Sequence, residues 1–208
     1  MVGLRLPLIH GSRRWPAFLL GYAGFSALYV LVGRLHWHTP ILLPTSFIDR
    51  AVPFLDWTLL IYFSHYLLPV LALWLSPDDE ERSRCFYAMV LASCTAFLIF
   101  ALWPTMVSRP WNPGLMEGGH FQAMWAMLYA VDTPSNCLPS LHVALATLSA
   151  AALFRRGGFW KPLVCVWALA VSLSTLTTKQ HLAIDAVTGL LLAVLVMSIA
   201  KRYIRFKA

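Results

Sequence analysis

Long apolar stretches, separated by short charged turns, govern what this chain can fold into. Inside a bilayer no water satisfies backbone amides and carbonyls, so a chain entering hydrocarbon must close those bonds within itself. A helix of about 20 apolar residues does this while crossing a core about 30 Å thick. Residues 15–33, 53–75, 84–103, 140–154, 160–177 and 181–200 are such stretches, the fourth of them short. The chain is 59% apolar and 12% charged, against roughly 45–50% and about 25% in soluble domains. The pattern predicts an all-α membrane protein with about six transmembrane helices in one bundle, a single integral-membrane domain over residues 1–208.

The connections carry the polarity. Asp78-Asp79-Glu80-Glu81-Arg82 reads as a turn, residues 34–52 as an interfacial stretch, and 201–208 as a basic tail. The longest connection, residues 104–138 between the third and fourth helices, holds Arg109-Pro110, Gly114 and Gly118-Gly119. Within it residues 120–131 have the pattern of a short helix lying in the membrane interface. With the N-terminus inside, Arg5, Arg13, Arg14, Arg82, Arg84, Arg155, Arg156, Lys161, Lys201, Arg202, Arg205 and Lys207 fall on the inner side. Only Arg34, Arg50, Arg109 and Lys179 fall outside, the asymmetry that orients membrane proteins.

Several readings drop out on the same grounds. The net charge of +7 sits at segment ends, where it sets topology and meets lipid headgroups, so it implies a bilayer and not nucleic acid as partner. Ser12-Arg13-Arg14 has the look of a twin-arginine export signal. It is followed by a membrane-spanning chain, not a soluble passenger, and reads as a cytoplasmic anchor for the first helix. Cys85, Cys94, Cys137 and Cys165 form no C-x-x-C pair and read as packing residues. The compact, loop-poor chain suggests a bacterial inner membrane, with cytoplasmic termini and a periplasmic site.

Chemistry-bearing residues gather on the outer side. Ionisable groups at the mouth of a membrane helix are costly unless solvated, paired or used. His181 and Asp185 are four apart, and on one helix they share a face, where a carboxylate can set the tautomer and orientation of an imidazole. Pro139-Ser140 reads as a helix start, with proline in the first turn and serine bonding free amides there. Such an N-terminus favours a phosphate. A phosphoester reaction at this surface needs cations, for which Arg109 and Lys179 are available. It needs a nucleophile, for which His181 backed by Asp185 is suited, and a general acid, for which His142 is suited. The scheme requires neither metal nor cofactor. His36-x-His38, His65 and His120 would hold a metal only if the fold gathered them, and Asp132 and Asn136 read as supports of loop turns.

In order, Arg109-Pro110, Pro139-Ser140-Leu141-His142 and His181-x-x-x-Asp185 resemble the three motifs of the type-2 phosphatidic acid phosphatase superfamily. The resemblance spans about residues 102–189 and extends through Asp185-x-x-x-Gly189. It implies a six-helix membrane core and a metal-independent phosphohistidine mechanism. His181 would be the nucleophile, Asp185 its orienting partner, His142 the acid, Arg109 a phosphate ligand and Ser140 a hydroxyl or amide donor to phosphate. The chain departs from the family pattern at Leu102, where a lysine is usual, at Leu141, where glycine is usual, and at Ser174-Thr175, where the family has Ser-Arg. Lys179 stands as the substitute cation. Pro-Ser-Leu-His, together with Val52-Pro53-Phe54 and Ile61-Tyr62-Phe63-Ser64, is similar to the inositol phosphorylceramide and sphingomyelin synthase branch. That branch moves a phospho-headgroup to a lipid alcohol, so hydrolase and transferase both remain open. A lipid transporter would need matched, broken apolar halves, which are missing here. An intramembrane serine protease would need Ser140 and His142 to face each other, which residues two apart on a helix do not.

Overall fold

The computed structural model describes residues 4–34, 38–109, 119–132 and 134–207. Its long helices are α1 (Arg14–Arg34), α5 (Asp79–Leu102), α8 (Trp160–Thr177) and α9 (Ala183–Tyr203). A further rod, Asp56–Leu75, is built from 3-10 turns around α3 (Leu59–Phe63) and α4 (Leu67–Leu75). Among the described residues these five are long and apolar enough to cross a membrane, and α7 (Leu141–Phe154) is shorter. The shorter α2 (Phe47–Ala51) and α6 (Gln122–Val131) lie in the connections. The outward faces of α1 and α9 confirm the solvent: Leu19, Leu20, Leu191, Val194 and Leu195 are all more than half exposed. Contiguous apolar surface of this kind belongs against lipid. The chain is an integral membrane protein.

The short helix is the centre of the bundle. α7 packs against α4, α5, α8 and α9. Ala144, Ala146, Ala150 and Ala152 are buried along it, and small side chains let neighbouring backbones approach closely where lipid offers no hydrophobic drive. The core continues through Leu68, Ala72, Ala92, Phe97, Phe100, Leu148, Val171 and Val196. α1 stays at the periphery, against α4 and α5.

Two features depart from a purely helical expectation. β1 (Leu4–Pro7) pairs in parallel with β4 (Ile204–Lys207), so the basic tail is a strand bound to the N-terminal segment. β2 (Ile41–Leu42) pairs in parallel with β3 (Thr105–Met106) at the other end of α1. The acidic run at 78–82 is also not a turn. Asp78 caps α5 by accepting from the Glu81 amide, and the acids that follow occupy its first turn, where the helix dipole favours them. Arg82 is buried there, donating to the carbonyls of Leu73 and Ile9 and paired with Asp79.

Candidate active site

The start of α7 and the elbow between α8 and α9 are held together by backbone. Ser140 is fully buried and is the N-cap of α7, its Oγ accepting from the Val143 amide at 3.4 Å. Pro139 precedes that cap and does not sit in the first turn, because the helix begins at Leu141. The Ser140 amide donates to the Asp185 carbonyl at 3.0 Å, tying the first turns of α7 and α9. Gly189 makes this approach possible: a Cβ there would lie 2.3 Å from the Ser140 carbonyl oxygen.

His181 is not on a helix, contrary to the four-residue spacing argument. α8 ends at Thr177, Lys179 adopts a left-handed conformation (φ 56°), and the amides of Gln180 and His181 both donate to the Thr175 carbonyl at 3.1 Å. α9 begins two residues later, with the Leu182 amide donating to Asp185 Oδ2 at 2.9 Å. The elbow nevertheless brings His181 Nδ1 to 3.4 Å from Asp185 Oδ2. Asp185 is fully buried and His181 is 6% exposed. A buried carboxylate beside a ring nitrogen favours a proton on that nitrogen, which leaves the lone pair on the other.

The other nitrogen faces His142. His181 Nε2 lies 3.2 Å from His142 Nδ1. The fold therefore lines up carboxylate, imidazole and second imidazole from α9, the elbow and α7. Two aromatic rings that sequence reasoning did not assign to this place flank His142: Tyr62, with ring centroids 4.5 Å apart, and His65, at 4.3 Å. His65 Nδ1 is 2.7 Å from the Tyr62 carbonyl oxygen, which a protonated Nδ1 satisfies. Tyr62 comes from α3 and His65 from the 3-10 turn Ser64–Tyr66 that follows it in the Asp56–Leu75 rod. A buried histidine within an apolar span was the available signal.

The two cations occupy built positions. Residues 105–109 run beside 134–138: the Val107 amide donates to the Pro134 carbonyl, and the Leu138 amide to Thr105 Oγ1. This leads Arg109 to Asp132, with one guanidinium nitrogen 2.7 Å from the carboxylate and another 3.1 Å from the carbonyl. The guanidinium also lies over the Tyr129 ring. Asp132 accepts from the Tyr29 hydroxyl as well, so it is more than a turn support. Pro110, the second half of that motif, lies outside the described residues. Lys179 Nζ donates to the carbonyls of Asp49 and Val52, the former at 2.8 Å. The Asp49 carboxylate accepts from the Ala183 amide at 2.7 Å, so α2 is strapped to the elbow from both sides. Burial raises the Asp49 carboxyl, but its bonds with Ser46 and Ala183 and the nearby Lys179 ammonium outweigh this and hold it below the usual carboxylate value.

Among the described residues, the remaining histidines form no metal-competent group. His38 and His120 are exposed while His65 is buried, and His36 lies outside the described residues. The one group of metal-competent side chains found among the described residues is Cys137, His181 and Asp185. No curated protein matches the chain. A family model, the PAP2 superfamily, matches residues 27–199.

Proposed function

The chain belongs to the PAP2 superfamily, and from that premise we propose that it is a membrane phosphatase or phosphotransferase using His181 as nucleophile on a lipid phosphate or pyrophosphate. The observation that carries the reading is the alignment of Asp185, His181 and His142, with contacts of 3.4 Å and 3.2 Å on the two nitrogens of one ring. The charge of the buried Asp185 carboxylate, 3.4 Å away, favours the proton on Nδ1, and the Nε2 lone pair attacks phosphorus as the ester oxygen departs. His142 gives that oxygen its proton. Phosphorus must enter between the two rings, so substrate displaces their direct contact. The phosphohistidine is then resolved by water or by an alcohol. Arg109, held in place by Asp132, and the hydroxyl of Ser140, whose amide is spent on the Asp185 carbonyl, contact the phosphate, and Lys179, held by the α2 strap, adds its charge.

A lipid is the substrate this frame fits. A mostly apolar groove of about 650 Å³ runs along α7, α8 and α9, from Val143 and Ala186 through Ala150, Leu169 and Leu190 to Arg155 and Lys201 at its far end, and none of the proposed catalytic side chains lines it. Val143 and Ala186 adjoin His142 and Asp185 in sequence. The strand pairing of the two terminal segments supports six crossings, since chain ends that meet on one side require an even number. The five long helices with α7 supply it. The basic-residue asymmetry supports a site on the outer face.

Transfer of a phospho-headgroup to a lipid alcohol is the second reading. It is favoured by Leu102 in the place of a family lysine, one cation fewer, and by Lys179 spending two of its three N–H donors on the carbonyls of Asp49 and Val52, which leave less for a dianionic phosphate. Radiolabelled lipid phosphate, quenched during turnover, should leave acid-labile label on the peptide containing His181. Label on His142 instead, or none on a protein that turns over, overturns the nucleophile assignment. Free phosphate release that is unchanged by added lipid alcohol would exclude the transferase.

A further inference from the structure

Cys137, His181 and Asp185 come from the turn before α7, the elbow, and the first turn of α9. Each brings one ligand atom, all within 4.8 Å of one another. The three residues are 2%, 6% and 0% exposed. His181 Nδ1 and Asp185 Oδ1 are buried with no hydrogen-bond partner. Buried polar atoms are almost always satisfied, so an unpartnered imidazole nitrogen and an unpartnered carboxylate oxygen on two members of one cluster point to something that binds them. The 3.4 Å separation of His181 Nδ1 and Asp185 Oδ2 is longer than an ordinary N–H···O bond. It is the distance expected between two ligands of one tetrahedral centre, since zinc bonds nitrogen and carboxylate oxygen at about 2.0–2.2 Å. A thiolate at about 2.3 Å suits the same ion.

We infer that Cys137, His181 and Asp185 form a binding site for zinc or a similarly thiophilic divalent ion, and that the ion turns the enzyme off. On binding, the Cys137 thiol releases its proton to solvent and gives up its contact to the Pro134 carbonyl, now 3.0 Å. The imidazole binds the ion through Nδ1, so the one proton of the neutral ring must sit on Nε2. That nitrogen then donates toward His142 and has no lone pair for phosphorus. The ion thus holds the ring in the tautomer opposite to the one Asp185 holds in its absence. The inhibitory half of this inference rests on the proposed role of His181; the binding half does not.

The test uses the purified protein in detergent, stripped with a chelator and titrated with Zn²⁺ against a chromophoric zinc indicator, with zinc K-edge absorption on the loaded sample. One ion per chain with a sulfur ligand is expected, and Cys137→Ala and Asp185→Asn should each weaken binding by at least the 10–100-fold that losing a mere supporting contact costs. Undiminished binding in Cys137→Ala, or a zinc shell without sulfur in the wild type, overturns the site. Should Cys137→Ala fail to fold, the wild-type spectrum decides alone. Turnover and His181 labelling should fall together as zinc fills the site. A sulfur-ligated ion that leaves turnover intact sustains the binding site but sinks His181 as nucleophile.

Discussion

The two histidines differ in what surrounds them, and the difference separates their jobs. His181 has a carboxylate on one nitrogen and an imidazole on the other. His142 lies against a tilted Tyr62 ring and the edge-on ring of His65. His181→Asn should abolish turnover. His142→Ala should slow an alkyl phosphate by about 10²–10⁴-fold, the usual cost of losing a general acid. It should largely spare a nitrophenyl ester, whose leaving group needs little protonation. Equal losses on both substrates, measured as kcat/KM, would remove His142 from the acid role. Asp185→Asn should lower kcat with little change in KM, because the imidazole loses the partner that sets its tautomer.

Elements meet at this site with little tolerance. Gly189 lets α9 reach the Ser140 carbonyl, and Gly189→Ala must force the first turns of α7 and α9 apart. Overpacking of this kind costs about 1–3 kcal/mol. A lower thermal midpoint together with a larger proportional loss of turnover is the expected result, and an unaltered enzyme would show that the two turns can part freely. The α2 strap makes a pH-dependent claim. The Asp49 carboxyl lies below its usual value in the folded protein. Its contribution is therefore fully present above the ordinary carboxylate range and is lost as pH falls through the lowered folded value. Exchange protection of the Ala183 amide should persist at mildly acid pH and disappear only below about 3.9, the usual aspartate value. In Asp49→Ala that protection should be absent at every pH.

For the whole molecule, the paired terminal strands demand that both chain ends share one side. Reporters fused after Lys207 and inserted between residues 114 and 119 should fall on opposite sides of the membrane. Finding both on one side would break the outer-face assignment of the site. Chelation bears on the same enzyme: the reacting groups are all protein side chains, so activity should survive EDTA, and should rise in preparations that carried zinc. Loss on chelation with recovery on adding a divalent ion would replace the phosphohistidine scheme by a metal-assisted one.

Hydrophobic run length was legible in the sequence, because bilayer thickness sets helix length, and so were Arg109, Ser140, His142, Lys179, His181 and Asp185 as candidates, because chemistry needs particular side chains. The extents of α8 and of α7 followed from the same runs, to within a residue. Tertiary structure decided the rest. Periodicity is a local signal, so it could not tell that the short α7 is the central helix, that the basic tail pairs with the N-terminal strand, or that His181 stands in an elbow before α9. It also could not bring His65 and Tyr62 onto His142, Asp49 onto Ala183, or Cys137 beside His181 and Asp185. Those partners lie tens of residues or more apart in the chain, and only the packing of one helix against another makes them neighbours.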